Sequence, residues 1–141
     1  MKKFLGLALV AVAFASCSDD DGPSVDMNQL VKKWYVSTYT IEGVAMPDDN
    51  EPCGKDNIEF FANGTLTTVD VYDCNGNTPV SDNESGTYTV DGQKVTLNID
   101  GDSTTATVTE LTGSTLKVTY EEDWSGDGTL VTIVETYTST P

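Results

Sequence analysis

The stretch GTYTVDGQKVTLNI, residues 86–99, spells strand, turn, strand. In KVTLNI, Val95, Leu97 and Ile99 share one face, while Lys94, Thr96 and Asn98 share the other. That period of two belongs to a strand with one buried side. Asp91-Gly92 supplies the tight reversal that joins it to Ser85–Val90. The same alternation returns in TLKVTY, residues 115–120, where Leu116, Val118 and Tyr120 oppose Lys117 and Thr119. Both segments therefore offer one apolar face to a common interior.

Working outward, the chain from Trp34 onward is dense in Thr, Val, Tyr and Ile, residues that suit a pleated, half-buried surface. Eight strands follow: Trp34–Ile41, Asn57–Phe61, Thr65–Asp73, Ser85–Val90, Lys94–Ile99, Thr104–Glu110, Thr115–Glu121 and Thr129–Tyr137. Asn63-Gly64, two residues that accept positive φ, predicts a two-residue hairpin turn between the second and third. Asp26 is placed to cap a single helical turn over Met27–Val31. The expected fold is all-β, an eight-stranded antiparallel up-and-down barrel with one short N-terminal helical turn. Links after the second, fourth and sixth strands are tight, whereas those after the first, third and seventh are long. Alternate links share an end, so the barrel has a closed end and a loop-rich end.

The beginning of the chain is organised differently. Met1-Lys2-Lys3 precedes an apolar run from Phe4 to Ala15 that is shorter than the roughly 20 residues a transmembrane helix needs. This is the pattern of a signal peptide, residues 1–16. Ala15-Ser16-Cys17 resembles the lipobox of bacterial lipoproteins, in which the cysteine is lipidated and becomes the new N-terminus; the alternative is ordinary secretory cleavage beside an incidental cysteine. Residues 17–26 are acidic, with little apolar content, and read as a tether; residues 27–141 form the domain. The formal charge is −16, and loss of Lys2 and Lys3 leaves five lysines against 23 acids, or −18. Such a surface is repelled by phosphate backbones, so nucleic acid is not an expected partner. The expected membrane contact is through the acyl anchor.

Chemistry is constrained by what the chain lacks. There is no His and no Arg. This removes the imidazole base of the common catalytic pairs and the bidentate clamp for phosphate or carboxylate. No carboxylate pair is set apart by apolar neighbours, so enzymatic activity is not expected, and no cofactor is called for. Cys53 and Cys74 fall at the loop-rich end on neighbouring strands. In an exported protein they are expected to pair, worth roughly 3 kcal/mol in the chain-entropy picture. Free thiols or half of a metal site are the other readings. Asp100, Asp102, Asp123 and Asp127 stand around turn glycines as weak calcium candidates, although neither segment fits a twelve-residue calcium loop.

The interior of an eight-stranded barrel is either filled by side chains or holds one small ligand. Trp34, Phe60, Tyr88, Leu97, Leu116 and Tyr120 are the candidates to line it. A partly filled interior with a small cavity toward the loop-rich end is expected, with Trp124 in the Gly- and Asp-rich loop at its mouth. The functions open to such a barrel are binding of a small apolar or amphipathic ligand, a surface interaction or structural module with a filled core, or a calcium-stabilised acidic-loop binding module.

The order LVKKW (30–34), a first cysteine, IEFFANGTL (58–66), a second cysteine, GTYTVDGQKVTL (86–97) and LTGSTLKVTY (111–120) resembles the lipocalin-like domain of Bacteroidota lipoproteins. The resemblance implies an eight-stranded barrel, a Cys53–Cys74 pair and no catalytic residues. True lipocalins carry a Gly two residues before the first-strand Trp and a late Arg that packs on it. Here Lys32 holds the first place, and the chain has no Arg. Ser18-Asp19-Asp20-Asp21 after Cys17 resembles the acidic signal that sends such lipoproteins to the cell surface, which makes an outer-membrane, surface-exposed location the expectation.

Overall fold

A computed structural model describes residues 24–47, 50–123 and 125–141. Lys33–Ile41 (β1), Val44–Ala45 (β2), Asn57–Phe60 (β3), Thr65–Asn75 (β4), Thr78–Asp91 (β5), Lys94–Ile99 (β6), Asp102–Leu111 (β7), Thr115–Glu122 (β8) and Val131–Thr138 (β9) build one antiparallel sheet. The order is β2-β1-β3-β4-β5-β6-β7-β8-β9, and β1 also pairs with β9. Eight strands thus close into the expected up-and-down barrel. The short β2 is an addition, folded back on the end of β1 through Thr40–Ala45 and Ile41–Val44 pairs.

Closure requires β1 to serve two neighbours. Lys33, Trp34 and Tyr35 pair with β3, whereas Tyr35 to Ile41 pair with β9, with a register shift between Val36 and Thr38. Such an irregularity bends and twists the strand. It lets one strand turn the corner from β3 to β9.

The closed end carries the helical turn α1, Met27–Leu30, capped by Asp26, whose carboxylate accepts from the Asn28 N–H at 2.9 Å. Val25, assigned to the tether from sequence, is instead buried, and its N–H donates to Gly92 O at 2.9 Å in the β5–β6 turn. Leu30 follows, fully buried, and Trp34 sits beneath it with no exposed surface. The indole Nε1 donates to Leu30 O at 2.9 Å, so helix and first strand are tied across four residues. A core of Ile58, Phe60, Leu66, Tyr88, Val95, Val108 and Leu116 packs around this plug. Each such side chain, fully buried, contributes on the order of 1.5–3 kcal/mol.

Two local expectations are corrected. The link after the third strand is not a long loop: β4 and β5 run on as a paired arm through Cys74–Pro79 and Asn75–Thr78, so the fourth strand begins at Thr78 rather than Ser85. Its outer part alternates poorly because much of the arm is exposed. At Asn63-Gly64 only Gly64 takes positive φ, at 81°. Asn63 uses its side chain instead, accepting from the Thr65 N–H at 3.1 Å and the Thr65 hydroxyl at 2.7 Å.

Cys53 and Cys74 form a disulfide, Cα–Cα 6.0 Å, that ties the β2–β3 loop to the β4–β5 arm. At Gly86, where β5 crosses between β4 and β6, a Cβ would lie 2.3 Å from Asn98 O and 2.9 Å from Ile99 Cγ1. The backbones approach too closely for any side chain. Gly86→Ala should therefore cost about 2–3 kcal/mol through forced separation of β5 and β6. Chemical denaturation checks this, and an unchanged midpoint would show that the crossing is looser than described.

Candidate functional site

The barrel interior is unevenly filled. Phe60 and Tyr88 meet edge to face, with ring centroids 5.0 Å apart at 83°, and occupy the side under β3 and β5 together with Trp34 and Leu66. The Tyr88 hydroxyl donates to Phe61 O at 2.8 Å, and burial raises its pKa above the ordinary phenol value. On the other side smaller residues leave a cavity of about 270 Å³. Its floor is Leu30, Ile58 and Phe60. Val95 and Leu97 of β6, with Thr104, Ala106 and Val108 of β7, make a nearly apolar wall. The facing wall comes from Leu116, Val118, Tyr120 and Glu122 of β8 and from Glu135 and Tyr137 of β9.

That second wall carries the polar chemistry. Strand pairing sets Val118 against Glu135, and Leu116 and Tyr120 against Tyr137 and Ile133, so all six point inward in phase. Tyr120 donates to Glu135 Oε1 at 2.9 Å, and Tyr137 donates to Glu135 Oε2. One carboxylate thus holds two phenols. Burial, then the Glu135 charge and hydrogen bond, raises the pKa of Tyr120; Tyr137 is raised by the same causes, with smaller contributions from Tyr120 and Asp56. Both stay neutral donors. A carboxylate offers about four lone-pair positions, and two are taken here. The remainder are available to whatever occupies the cavity.

Of the residues singled out from sequence, Phe60, Leu97, Leu116 and Tyr120 line the cavity. Trp34 and Tyr88 do not; they fill the core beside it. Trp124, Cys17 and Ser18 to Asp21 lie outside the described residues. The interior is partly filled, as expected, with the cavity on the β6–β9 side, and the filled-core alternative does not hold there. Among the lining residues not singled out from sequence, Glu122, Glu135 and Tyr137 carry the polar chemistry. Period two in VTIVETYT, residues 131–138, already sets Glu135 in phase with Ile133 and Tyr137, and a charged residue in an inward phase is the signal that could have found it.

The calcium candidates are arranged differently. Asp100, at φ 51°, and Gly101 make the β6–β7 turn, while Asp102 belongs to β7, paired with Ile99. Asp123 accepts from the Asp127 N–H at 3.1 Å and the Gly128 N–H at 2.9 Å, and Asp127 accepts from the Thr129 N–H at 2.8 Å. The Thr129 N–H, with the Ser125 hydroxyl, holds the Asp127 carboxyl below its usual pKa. These carboxylates serve their own loop. Among the described residues no three acidic or sulfur side chains converge as a metal site.

A family model described as the lipocalin-like domain matches residues 30–118. The chain belongs to the lipocalin-like domain family. Its fold is similar to that of a lipocalin-like protein from Bacteroides uniformis, with TM-score 0.56 and 13% identity over 78% of this chain and 97% of that one. A protein from Bacteroides eggerthii is alike at TM-score 0.52 and 13% identity, covering 77% and 98% of the two chains. The bovine lipocalin allergen Bos d 2 is alike at TM-score 0.51 and 14% identity, covering 81% and 75%. Among curated proteins no sequence matches the chain. In this lipocalin-like barrel Lys32, standing where true lipocalins have Gly, places its ammonium over the Trp34 ring at 5.1 Å and donates to Gly113 O at 3.1 Å. A cation covers the tryptophan without any Arg, an arrangement worth on the order of 0.5–1 kcal/mol at an exposed site.

The raised tyrosines make alkaline stability a test of the site. A phenol whose folded pKa lies above its unfolded value of 10.0 stabilises the fold fully below that pH, and the contribution is lost as pH rises past it. Melting temperature should fall above about pH 10, and Tyr120→Phe should flatten the fall while costing roughly 1.5–3 kcal/mol at neutral pH. An identical alkaline profile in Tyr120→Phe and Tyr137→Phe would contradict the burial of both hydroxyls against Glu135.

Proposed function

We propose that this chain is a non-enzymatic, lipid-anchored envelope protein whose barrel binds a small amphipathic molecule. The cavity carries the reading: about 270 Å³, apolar on its floor and one wall, with a doubly hydrogen-bonded carboxylate on the other. Ligand sites are commonly apolar hollows with a few convergent polar groups, and this one stands near the lower end of their size range. A void of that size is not what close packing alone would leave. The surface-interaction alternative needs a filled core, which this barrel does not have.

The anchor half of the proposal rests on Cys17 after the apolar leader and on the acids Ser18-Asp19-Asp20-Asp21 that follow it. Val25 docks on Gly92 at the closed end. The eight residue steps from Cys17 to Val25 span at most ~29 Å at ~3.6 Å per residue. A lipid on Cys17 would therefore keep the closed end near the membrane and leave the mouth free to meet solutes. At the cell surface, that mouth would sample the medium.

Two measurements test the two halves. An uncharged naphthylamine fluorophore should brighten with the purified barrel and not with Ala106→Phe, which fills the cavity from β7; both proteins should keep the same circular dichroism. Absence of any brightening, together with no molecule retained in native mass spectrometry of protein from its own cells, would overturn ligand binding. Metabolic labelling with a fatty-acid analogue should mark the protein and fail with Cys17→Ser. Label retained in that variant would overturn the anchor.

A further inference from the structure

We propose that the cavity selects an amphiphile with a cationic amine head, held by the Glu135 carboxylate, over neutral or carboxylate-headed molecules of the same length. This rests on the ligand-binding reading and goes further, to the charge of the ligand. The first observation is the sign of the lining. Glu135 and Glu122 both line the cavity, and among the described residues no lysine does. The groups that act electrostatically on the two phenols are Glu135, Glu122, Tyr39 and Asp56, all acidic or neutral.

The described lysines are placed elsewhere. Lys32 covers Trp34 at the closed end, Lys33 pairs with Glu59 at 3.3 Å, Lys55 stands in the β2–β3 loop outside the cavity lining, and Lys94 and Lys117 lie on the opposite face of their strands from the cavity residues. The half-buried Glu135 thus has two hydrogen-bond donors and no neutralising charge among the cavity residues. A buried carboxylate without a counter-charge is costly, and hydrogen bonds from neutral phenols compensate only part of that cost. An ammonium entering the cavity supplies the missing charge and bonds to the lone pairs the tyrosines leave open. A carboxylate head meets like charge from Glu135 and Glu122 and finds only hydroxyls to receive it.

The geometry also says where the rest of the molecule lies. The polar groups form one wall, on β8 and β9, and the facing wall is Val95, Leu97, Ala106 and Val108. A ligand with its head on Glu135 therefore lays its apolar body against β6 and β7. A short alkylamine or a single-ring arylalkylamine matches the scale of the 270 Å³ cavity.

Isothermal titration of the full barrel with octylamine, octanol and octanoate, below the concentrations at which they aggregate, tests the proposal. Octylamine should bind at least about tenfold more tightly than octanol, with octanoate the weakest, as expected for a charge-assisted contact out of bulk water. In Glu135→Gln the advantage of the amine over the alcohol should shrink to within about threefold. Glu122→Gln at the exposed rim should reduce the amine preference less, and it keeps the comparison available should Glu135→Gln fold poorly. Equal binding of the three heads, or octanoate the tightest, would overturn the charge selection while leaving the cavity a ligand site. An amine preference unchanged in a folded Glu135→Gln would overturn the role of that carboxylate. No heat from any of the three would overturn the ligand-binding reading itself, and the selectivity with it.

Discussion

Everything in this molecule depends on β1 belonging to two neighbours at once. A sheet of eight strands left open would expose two edges of unpaired amides and carbonyls, a standing invitation to associate. Here Lys33–Tyr35 satisfy β3, and the same strand, after its irregularity near Ser37, satisfies β9. Closure costs the chain a bend and removes both edges. It also fixes the interior radius, because strand number and tilt set a barrel's width whatever side chains point into it. The cavity is then decided by side-chain size alone.

Trp34 stands at the same corner. Its indole fills the closed end, its Nε1 is satisfied by Leu30 O, and Lys32 covers it toward the β7–β8 turn at Gly113. A buried indole N–H without a partner would be expensive, so α1 is required to end where it does. The short helix is thereby part of the barrel's floor rather than an appendage, and Val25 on Gly92 continues the seal. One end is thus plugged, and the longer loops lie at the other. The disulfide is placed at that open end, where Cys53 restrains the β2–β3 loop against the β4–β5 arm.

Much of this was legible because strands in a barrel leave a period-two trace. KVTLNI was bounded at Lys94 and Ile99, as observed, since its alternation is complete and turns flank it. The even count of cysteines at one end anticipated the Cys53–Cys74 bond. The β4–β5 arm was not legible, because TPVSDNES has a Pro and little alternation, and a strand exposed on both faces need not alternate. Trp34 was misassigned to the cavity for another reason. Whether an inward aromatic lines a hollow or plugs an end depends on its height in the barrel and on what covers it, and the pattern of one strand carries neither. Glu135 is readable from its phase with Ile133 and Tyr137, but aromatic and aliphatic residues are the usual marks of a lining. The more informative sign in an inward phase was the charge.

That charge bears on why the hollow persists. Close-packed interiors are the rule, and a hollow of about 270 Å³ leaves its lining without packing partners on one side. Larger side chains at Thr104, Ala106 or Val108 would supply such partners, so packing alone does not account for these small residues on the β7 wall. Nor can the space be dry as it stands, because Glu135 keeps acceptor positions that two phenols do not fill. Polar occupants, water or the head of a ligand, are required by the same carboxylate that makes a filled apolar core unfavourable there. A purely structural barrel would replace Glu135 with an aliphatic residue and lose both difficulties together. The carboxylate, the two hydroxyls that orient it and the small residues opposite together support the reading of a barrel that takes up something polar at one wall and apolar at the other.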